Sequence, residues 1–207
     1  MTAPDLPHPF DALASRIDVR GLRSVGFTSA LFGEGVSTMA LGTALSMAAL
    51  RPGTVLLVDA NWIEPGLTGE AGLQGAPGLA DHLASKAELA AVIRPASRSG
   101  VAFLPIGDRG AARPTLRELS ALLTNEVAGY STVIVDLPPV LAGEPFVLPW
   151  ASLLDRLFMV VREAATPLAV ARQALERIGL AAPPDIVLNR SEAPTAAISA
   201  KLLSARA

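Results

Sequence analysis

The segment ALFGEGVST, residues 30 to 38, joins two glycines to a Ser-Thr pair between an apolar stretch and a helical pattern. Consecutive backbone N–H groups at the start of a helix converge on one spot and favour an anion there. Gly33 and Gly35 let the backbone curl around that anion, and the hydroxyl of Ser37 suits Mg²⁺. The segment predicts a phosphate-binding loop, although on its own the spacing is also typical of a tight turn before a helix.

One position of this segment does not fit phosphate chemistry. Phosphate-binding loops of this kind carry a lysine before the Ser-Thr pair, and here that position holds Val36. The lysine's hydrogen bonds to phosphate are each worth roughly 1.5–3 kcal/mol. Its loss predicts about ten- to a hundredfold weaker triphosphate binding and a larger loss of turnover. The only lysines, Lys86 and Lys201, lie far from the loop in the sequence.

Two apolar segments end in a carboxylate. Asp59 closes TVLLVDA, residues 54 to 60, and Asp136 lies near the end of STVIVDLPP, residues 131 to 139. The carboxyl ends of parallel strands open onto the same crevice as a loop that follows the first strand. Asp59, Asp136 and Ser37 are therefore candidate Mg²⁺ ligands, and the two aspartates are candidate catalytic residues of a vestigial or weak activity. An isolated aspartate at a strand end more often caps a turn.

The segments around these residues predict an α/β fold with three layers, helix–sheet–helix, and a mostly parallel sheet. Short apolar runs with little alternation are typical of strands buried on both faces. Alternation of such strands with helices produces this architecture. The predicted strands are 24–29, 54–60, 101–107, 131–139, 156–162 and 185–190, the predicted helices are 37–50, 78–93, 115–128, 145–154 and 167–178, and the predicted loops are 61–77 and 107–114.

Composition limits the classes of function. A chain of 207 residues with a formal charge of −2 suits one domain and argues against a nucleic-acid binder. The absence of cysteine excludes disulfides and thiolate chemistry. The most apolar window, 39–50, is shorter than the ~20 residues that span a bilayer. The start resembles no signal peptide. We expect a cytoplasmic protein without direct membrane insertion: an N-terminal arm or helix (1–20), a phosphate-loop domain (21–195) and a C-terminal tail (196–207).

Fragments in chain order carry a resemblance to a known family. They are TSALFGEGVST (28–38), VDANWIEP (58–65), GLADHL (78–83), LPIG (104–107), YSTVIVDLPP (130–139) and VLNR (187–190). Over about residues 20 to 190 the chain resembles the cytoplasmic domain of bacterial tyrosine kinases (BY-kinases) of the capsule and exopolysaccharide family, relatives of the Min/Par ATPases. The resemblance implies a P-loop NTPase-like fold of the MinD (SIMIBI) type, with ATP or ADP and Mg²⁺ as cofactors. The cofactor-binding residues that it implies are Gly33, Glu34, Gly35, Val36, Ser37, Thr38, Asn189, which resembles the adenine-contacting residue, and Arg190.

Departures from the family pattern concentrate at the expected phosphate site. Val36 replaces the lysine, and Leu31 stands where the partitioning ATPases carry a second lysine. Phe32 replaces a commonly small residue and is expected to crowd the phosphate path. Asn61 replaces the family's second acid, and Ile63 and Glu64 replace its basic pair. The C-terminal tyrosine cluster is missing, because the chain has one tyrosine. We expect that residue, Tyr130, to be a packing residue rather than a phosphate acceptor.

Three functional hypotheses remain open. The first is a pseudokinase-like regulator of polysaccharide synthesis and export. The second is a working ATPase or kinase in which Arg23, Arg51 or a subunit in trans supplies the missing cation. The third is a Min/Par-type localisation ATPase. The family implies a membrane-spanning polysaccharide co-polymerase (chain-length protein) as partner, which would hold the chain at the inner membrane. It also implies a possible homo-oligomer. Residues 10–17 with Arg16 resemble the family's oligomerisation helix, and they are equally compatible with a plain surface helix.

Overall fold

A computed structural model describes residues 10–95, 100–111 and 113–189, and it contains one sheet of six strands. Every neighbouring pair of strands is parallel, in the order β3-β2-β4-β1-β5-β6. The predicted α/β architecture is confirmed, and the sheet is parallel throughout rather than mostly so. All six predicted strands are present: β1 (Ser24–Ser29), β2 (Val55–Asp59), β3 (Val101–Leu104), β4 (Thr132–Asp136), β5 (Arg156–Arg162) and β6 (Asp185–Asn189).

Helices cover both faces of the sheet. They are α1 (Asp11–Val19), α2 (Val36–Leu50), α3 (Gly66–Glu70), α4 (Leu79–Leu83), α5 (Leu89–Val92), α6 (Leu116–Ala121), followed by a π-helical turn (Leu122–Glu126), α7 (Val140–Ala151) and α8 (Leu168–Ile178). Successive side chains of a strand point to opposite faces, so Leu57 joins the apolar cluster under α1 and α2 while Leu56 joins the cluster under α7 and α8. Both leucines are fully buried.

The predicted helix at 10–17 is present as α1, and it packs on α2. The ring of Phe10 lies against Gly42, where an added Cβ would come within 2.2 Å of the ring. The predicted division of the chain stays a prediction, and the C-terminal tail and Arg190 lie outside the described residues. In the part of the chain that the structure describes, no helix is long and apolar enough to cross a membrane.

Several predicted helix boundaries were wrong. The single helix predicted at 78–93 is two short helices, α4 and α5, separated by a turn in which Ser85 has a φ of 56°. The predicted loop at 61–77 contains α3, and α6 gives way to the π-helical turn before 128. Helix α7 begins at Val140, but Gly143 breaks its geometry two residues before Pro145, where a helix start was expected. Pro167 is the N-cap of α8 rather than its first helical residue.

Candidate nucleotide site

The predicted phosphate-binding loop connects β1 to α2, the context that such a loop requires. Gly33 and Gly35 both have left-handed φ values, +76° and +90°, and Gly35 is the N-cap of α2. A Cβ on Gly35 would lie 2.2 Å from Nδ2 of Asn189. This position therefore requires glycine both for its conformation and for the close approach of Asn189.

Hydrogen bonds of side chains hold the loop in place. The side-chain amide of Asn189 donates to the carbonyl of Glu34 at 2.9 Å. The carboxylate of Glu34 is buried, accepts from the backbone N–H of Ala30 at 3.3 Å, and contacts the hydroxyl of Thr166. Asn189, which the resemblance assigns to the adenine, thus lies against the loop and braces it. Thr166 was not predicted, because nothing local in the sequence places the β5–α8 connection beside the loop.

The three candidate metal ligands come together at the carboxyl ends of β2 and β4. Asp59 and Asp136 are directly opposite each other in the parallel register and are fully buried. The hydroxyl of Ser37 donates to Oδ2 of Asp136 at 2.7 Å. The carboxylate of Asp59 accepts from the backbone N–H groups of Thr68 at 2.8 Å and Asn61 at 3.1 Å. Two buried carboxylates therefore share one small region with the first turn of α2.

Burial disfavours the charged form of both acids. It raises the pKa of Asp59 to about 6, against bonds from Thr68 and Asn61 that lower it. It also raises the pKa of Asp136 well above its ordinary value, helped by the charge of Asp59. Oδ1 of Asp136 is buried and has no hydrogen-bond partner among the described residues. A carboxylate oxygen without a donor beside a hydroxyl is a donor set that suits Mg²⁺.

The protein alone supplies too few oxygens for a complete metal site. Within the described ranges, no group of three or more His, Asp or Glu residues could hold a metal ion. Mg²⁺ keeps several waters and is commonly shared with substrate phosphates, so the residues fit a Mg²⁺ that arrives with a nucleotide.

The cleft above the loop has a volume of about 390 Å³ and an unusual charge pattern for a phosphate site. Among the described residues that line it, none is Lys, Arg or His, whereas Glu34, Glu64 and Glu70 line it. The side chain of Val36 packs against the apolar cluster under α2. Within the described part of the chain, the positive groups at the cleft are the backbone amides of the loop and the N-terminus of α2, equivalent to roughly half a charge.

The arginines proposed to replace the lysine are elsewhere, and that expectation was wrong. The guanidinium of Arg23 donates to the carbonyls of Ala128 and Tyr130 at the amino edge of the sheet. Arg51 pairs with Asp18 at the far end of α2. That helix has 15 residues, which places Arg51 roughly 20 Å from the loop. The predicted elements already imply this separation. Arg23 precedes the strand predicted at 24–29 and Arg51 follows the helix predicted at 37–50, so both lie at the ends away from the loop.

The other departures have distinct structural roles. Asn61 forms a turn, because its side-chain oxygen accepts from the backbone N–H groups of Ile63 at 3.2 Å and Glu64 at 2.9 Å. Leu31 and Phe32 are 41% and 49% exposed at the rim of the cleft, so Phe32 narrows the entrance without filling the floor. Tyr130 packs partly buried against the core, as predicted.

A parallel sheet with a glycine loop after its first strand and buried carboxylates at the ends of β2 and β4 defines a P-loop NTPase-like protein. No protein-family model matches the sequence. Over 162 residues the chain is 33% identical to the succinoglycan biosynthesis transport protein ExoP of Rhizobium meliloti (strain 1021). The match covers 74% of this chain and 20% of ExoP, so the chain spans about a fifth of that relative.

Solved structures agree with this assignment of the fold. The kinase domain of VpsO matches with a TM-score of 0.76 and 24% identity, over 87% of this chain and 92% of that one. The kinase domain of the Escherichia coli tyrosine kinase Etk matches with a TM-score of 0.75 and 21% identity, over 89% and 77%. MinD of Pyrococcus horikoshii, complexed with Mg-ADP, matches with a TM-score of 0.63 and 19% identity, over 82% and 72%. The predicted resemblance to BY-kinase domains and their MinD-type relatives is confirmed.

Proposed function

We propose that this chain is a degenerate BY-kinase-like domain, a pseudokinase, that acts in exopolysaccharide synthesis and export by binding other proteins rather than by transferring phosphate. The observation that carries the proposal is the cleft over the loop, whose described lining has carboxylates and no cationic side chain. Phosphoryl transfer depends on positioned cations that neutralise charge on the transferred group. The similarity to ExoP supports the pathway.

Nucleotide binding without turnover is part of this proposal. When bound, Mg²⁺ would be held by Ser37, Asp59 and Asp136 and would neutralise charge on the terminal phosphates. The residues of the chain do the rest: the amides of the loop bind the phosphates, and Asn189 keeps Gly35 and the loop in register. The approach of the terminal phosphate to Glu64 and Glu70 costs energy because like charges repel.

A membrane-spanning polysaccharide co-polymerase is the partner that we propose, with the domain on the cytoplasmic side of the inner membrane. ExoP is named a transport protein, and this chain corresponds to a fifth of it. Self-association into rings or dimers belongs to the same proposal.

An active ATPase or kinase is the second candidate, favoured by one observation. The unpaired Oδ1 of Asp136 and the hydroxyl of Ser37 still form the start of a Mg²⁺ site. Under this candidate a partner subunit supplies the missing cation. A Min/Par-type localisation ATPase has only the fold in its favour.

Restoring the lysine tests the proposal. Calorimetric titration with Mg-ATP should show that Val36→Lys binds at least about tenfold more tightly than the wild type, because an ammonium group gains charge-assisted bonds to phosphate. Val36→Met, which adds length without charge, is the matched control and should bind like the wild type. Equal, micromolar binding by all three chains, together with release of inorganic phosphate from ATP by the wild type, would refute the proposal.

A further inference from the structure

A second cavity lies beside the nucleotide cleft, at the carboxyl ends of β2 and β3. It has a volume of about 810 Å³ and is formed by residues 62–63, 75–77 and 107–110, with Asp81, Arg113 and Phe146. Sites for small molecules commonly have volumes of roughly 300–1,000 Å³. This cavity, called the arginine cavity after Arg109 and Arg113, shares no described lining residue with the nucleotide cleft. A ligand bound here would therefore be distinct from the nucleotide.

Two arginines, Arg109 and Arg113, give the arginine cavity positive charge of a kind that the described lining of the nucleotide cleft does not have. Nη1 of Arg109 donates to the carbonyls of Trp62 at 3.0 Å and Ile63 at 2.8 Å. These bonds fix the guanidinium and leave its Nε and Nη2 groups outside them. Arg113 is exposed and makes no hydrogen bond or ion pair with the described part of the chain. A fixed guanidinium with free donors is well suited to a phosphate group.

Acceptors for hydroxyl groups lie in the same cavity. Oδ2 of Asp81 accepts from the backbone N–H groups of Gly78 at 2.9 Å and Asp108 at 3.0 Å. Oδ1 of Asp108 accepts from Gly110 at 3.0 Å. Each carboxylate keeps a second oxygen outside these bonds, and such an oxygen accepts from hydroxyls. These bonds hold both carboxylates in place beside the arginines.

An apolar wall completes the arginine cavity. The ring of Phe146 stacks on Trp62 with centroids 5.9 Å apart and an interplanar angle of 8°. Trp62 is buried, and Phe146 keeps part of its surface exposed. The cavity thus combines guanidinium donors, carboxylate acceptors and one aromatic surface, a combination that matches a ring with hydroxyl groups and a phosphate.

We propose that the arginine cavity binds a sugar phosphate, with the phosphate on Arg109 and Arg113 and the ring hydroxyls on Asp81 and Asp108. A phosphotyrosine side chain would match the arginines and Phe146 but would offer no ring hydroxyl to the carboxylates. The sugar phosphate is therefore the better match. This site does not depend on the nucleotide cleft, so it stands whether or not the proposed pseudokinase binds ATP.

Calorimetric titration of the full chain tests this site with four probes: glucose 1-phosphate, glucose, inorganic phosphate and phosphotyrosine. Glucose 1-phosphate should bind most tightly, inorganic phosphate and phosphotyrosine should bind more weakly, and glucose should give no heat. Arg113→Ala should lower the affinity for glucose 1-phosphate about tenfold or more, since a charge-assisted bond is lost. Arg109→Lys should lower it as well, because lysine lacks the planar fork.

Arg117→Ala is the matched control. Arg117 is exposed on α6, four residues from Arg113, and does not line the cavity. The control should leave the affinity unchanged, and thermal unfolding should show that all variants fold. The proposal is overturned by no heat with glucose 1-phosphate at about 10 mM. It is equally overturned if Arg113→Ala has no effect, if Arg117→Ala has the same effect, or if phosphotyrosine binds more tightly.

Discussion

Replacement of Asp136 by asparagine should stabilise the protein. The carboxylate of Asp136 is fully buried opposite Asp59, and burial together with that neighbour raises its pKa well above the ordinary value. Asparagine removes the charge and the repulsion while its side-chain oxygen still accepts the hydroxyl of Ser37. The buried pair therefore costs stability in the absence of a cation, which is typical of a metal site kept for its ligand rather than for the fold.

The direction of the effect follows from the raised pKa of Asp136. A buried polar atom without a partner among the described residues, such as Oδ1 of Asp136, costs about 1–3 kcal/mol, and more when it is charged. A carboxyl group whose pKa is higher in the folded protein than in the unfolded chain makes the folded protein less stable as pH rises. The reason is that the unfolded chain releases this proton at a lower pH. The introduced asparagine would place an amide nitrogen without a partner where Oδ1 of Asp136 now lies, which offsets part of the gain. We expect Asp136→Asn to gain about 1–3 kcal/mol at pH 8 and nothing below about pH 4.

Urea unfolding of wild type and variant at pH 8 and pH 4 measures this difference. Glu176→Gln, at an exposed i,i+4 pair with Arg172, is the control and should change stability by less than about 0.5 kcal/mol. A loss of stability in Asp136→Asn at pH 8, or a gain of equal size at both pH values, would refute the reasoning. Either result would mean that the buried carboxylate is compensated in the folded state.

Three further outcomes follow from the loop and the acids. Gly35→Ala should lower the free energy of unfolding by about 1–3 kcal/mol and by more than Gly33→Ala, because only at 35 would the Cβ meet a neighbour; equal losses in urea unfolding would contradict this. Asn189→Ala should increase amide hydrogen exchange in the loop, since its bond to Glu34 is lost; unchanged exchange would show that other contacts hold the loop. The thermal stabilisation by Mg-ADP should increase from pH 5 to pH 8, because binding requires Asp59 without its proton, and a flat profile would exclude it as a ligand.

The sheet could be predicted from the sequence because each strand is a short, continuous apolar run. Both faces of the sheet are covered, so strands such as β2 and β4 are buried at every position and show no alternation. The strand–loop–helix around Gly35 and the two acids at strand ends could also be predicted, because the apolar runs and the residues that end them are adjacent in the sequence. The loop and the two acids lie close together because the strands are parallel, and the alternation of strands with helices implies this direction.

Other features depend on contacts between distant residues. The helix pattern at 78–93 is continuous, yet the amides of Leu79 and Ala80 bond to the carbonyls that follow β3, and Ser85 turns the chain away. The turn formed by Asn61 has a local signal, since asparagine often bonds to the backbone two or three residues on. The turn was not predicted, because the comparison with the family pattern treated Asn61 only as the replacement of an acid.

The second cavity could not be predicted because its arginines lie in a segment without periodicity. The described residues of 107–114 form a loop, as predicted, but the bonds from Arg109 to the carbonyls of Trp62 and Ile63 join two loops that are far apart in the sequence. Charge alone gave no indication, since the chain is nearly neutral. The expectation that Arg23 or Arg51 replaces the lysine was wrong for a different reason, because the strand and helix predicted around the loop already separate both arginines from it.

The central claim is that the cleft over residues 30–38 holds a nucleotide site without the cation that phosphoryl transfer requires. Steady-state release of inorganic phosphate from Mg-ATP by the purified wild-type chain tests it most directly, with Ser37→Ala as the background. We expect the wild type to release phosphate no faster than that variant. Sustained turnover by the wild type alone, abolished in Ser37→Ala, would contradict the account.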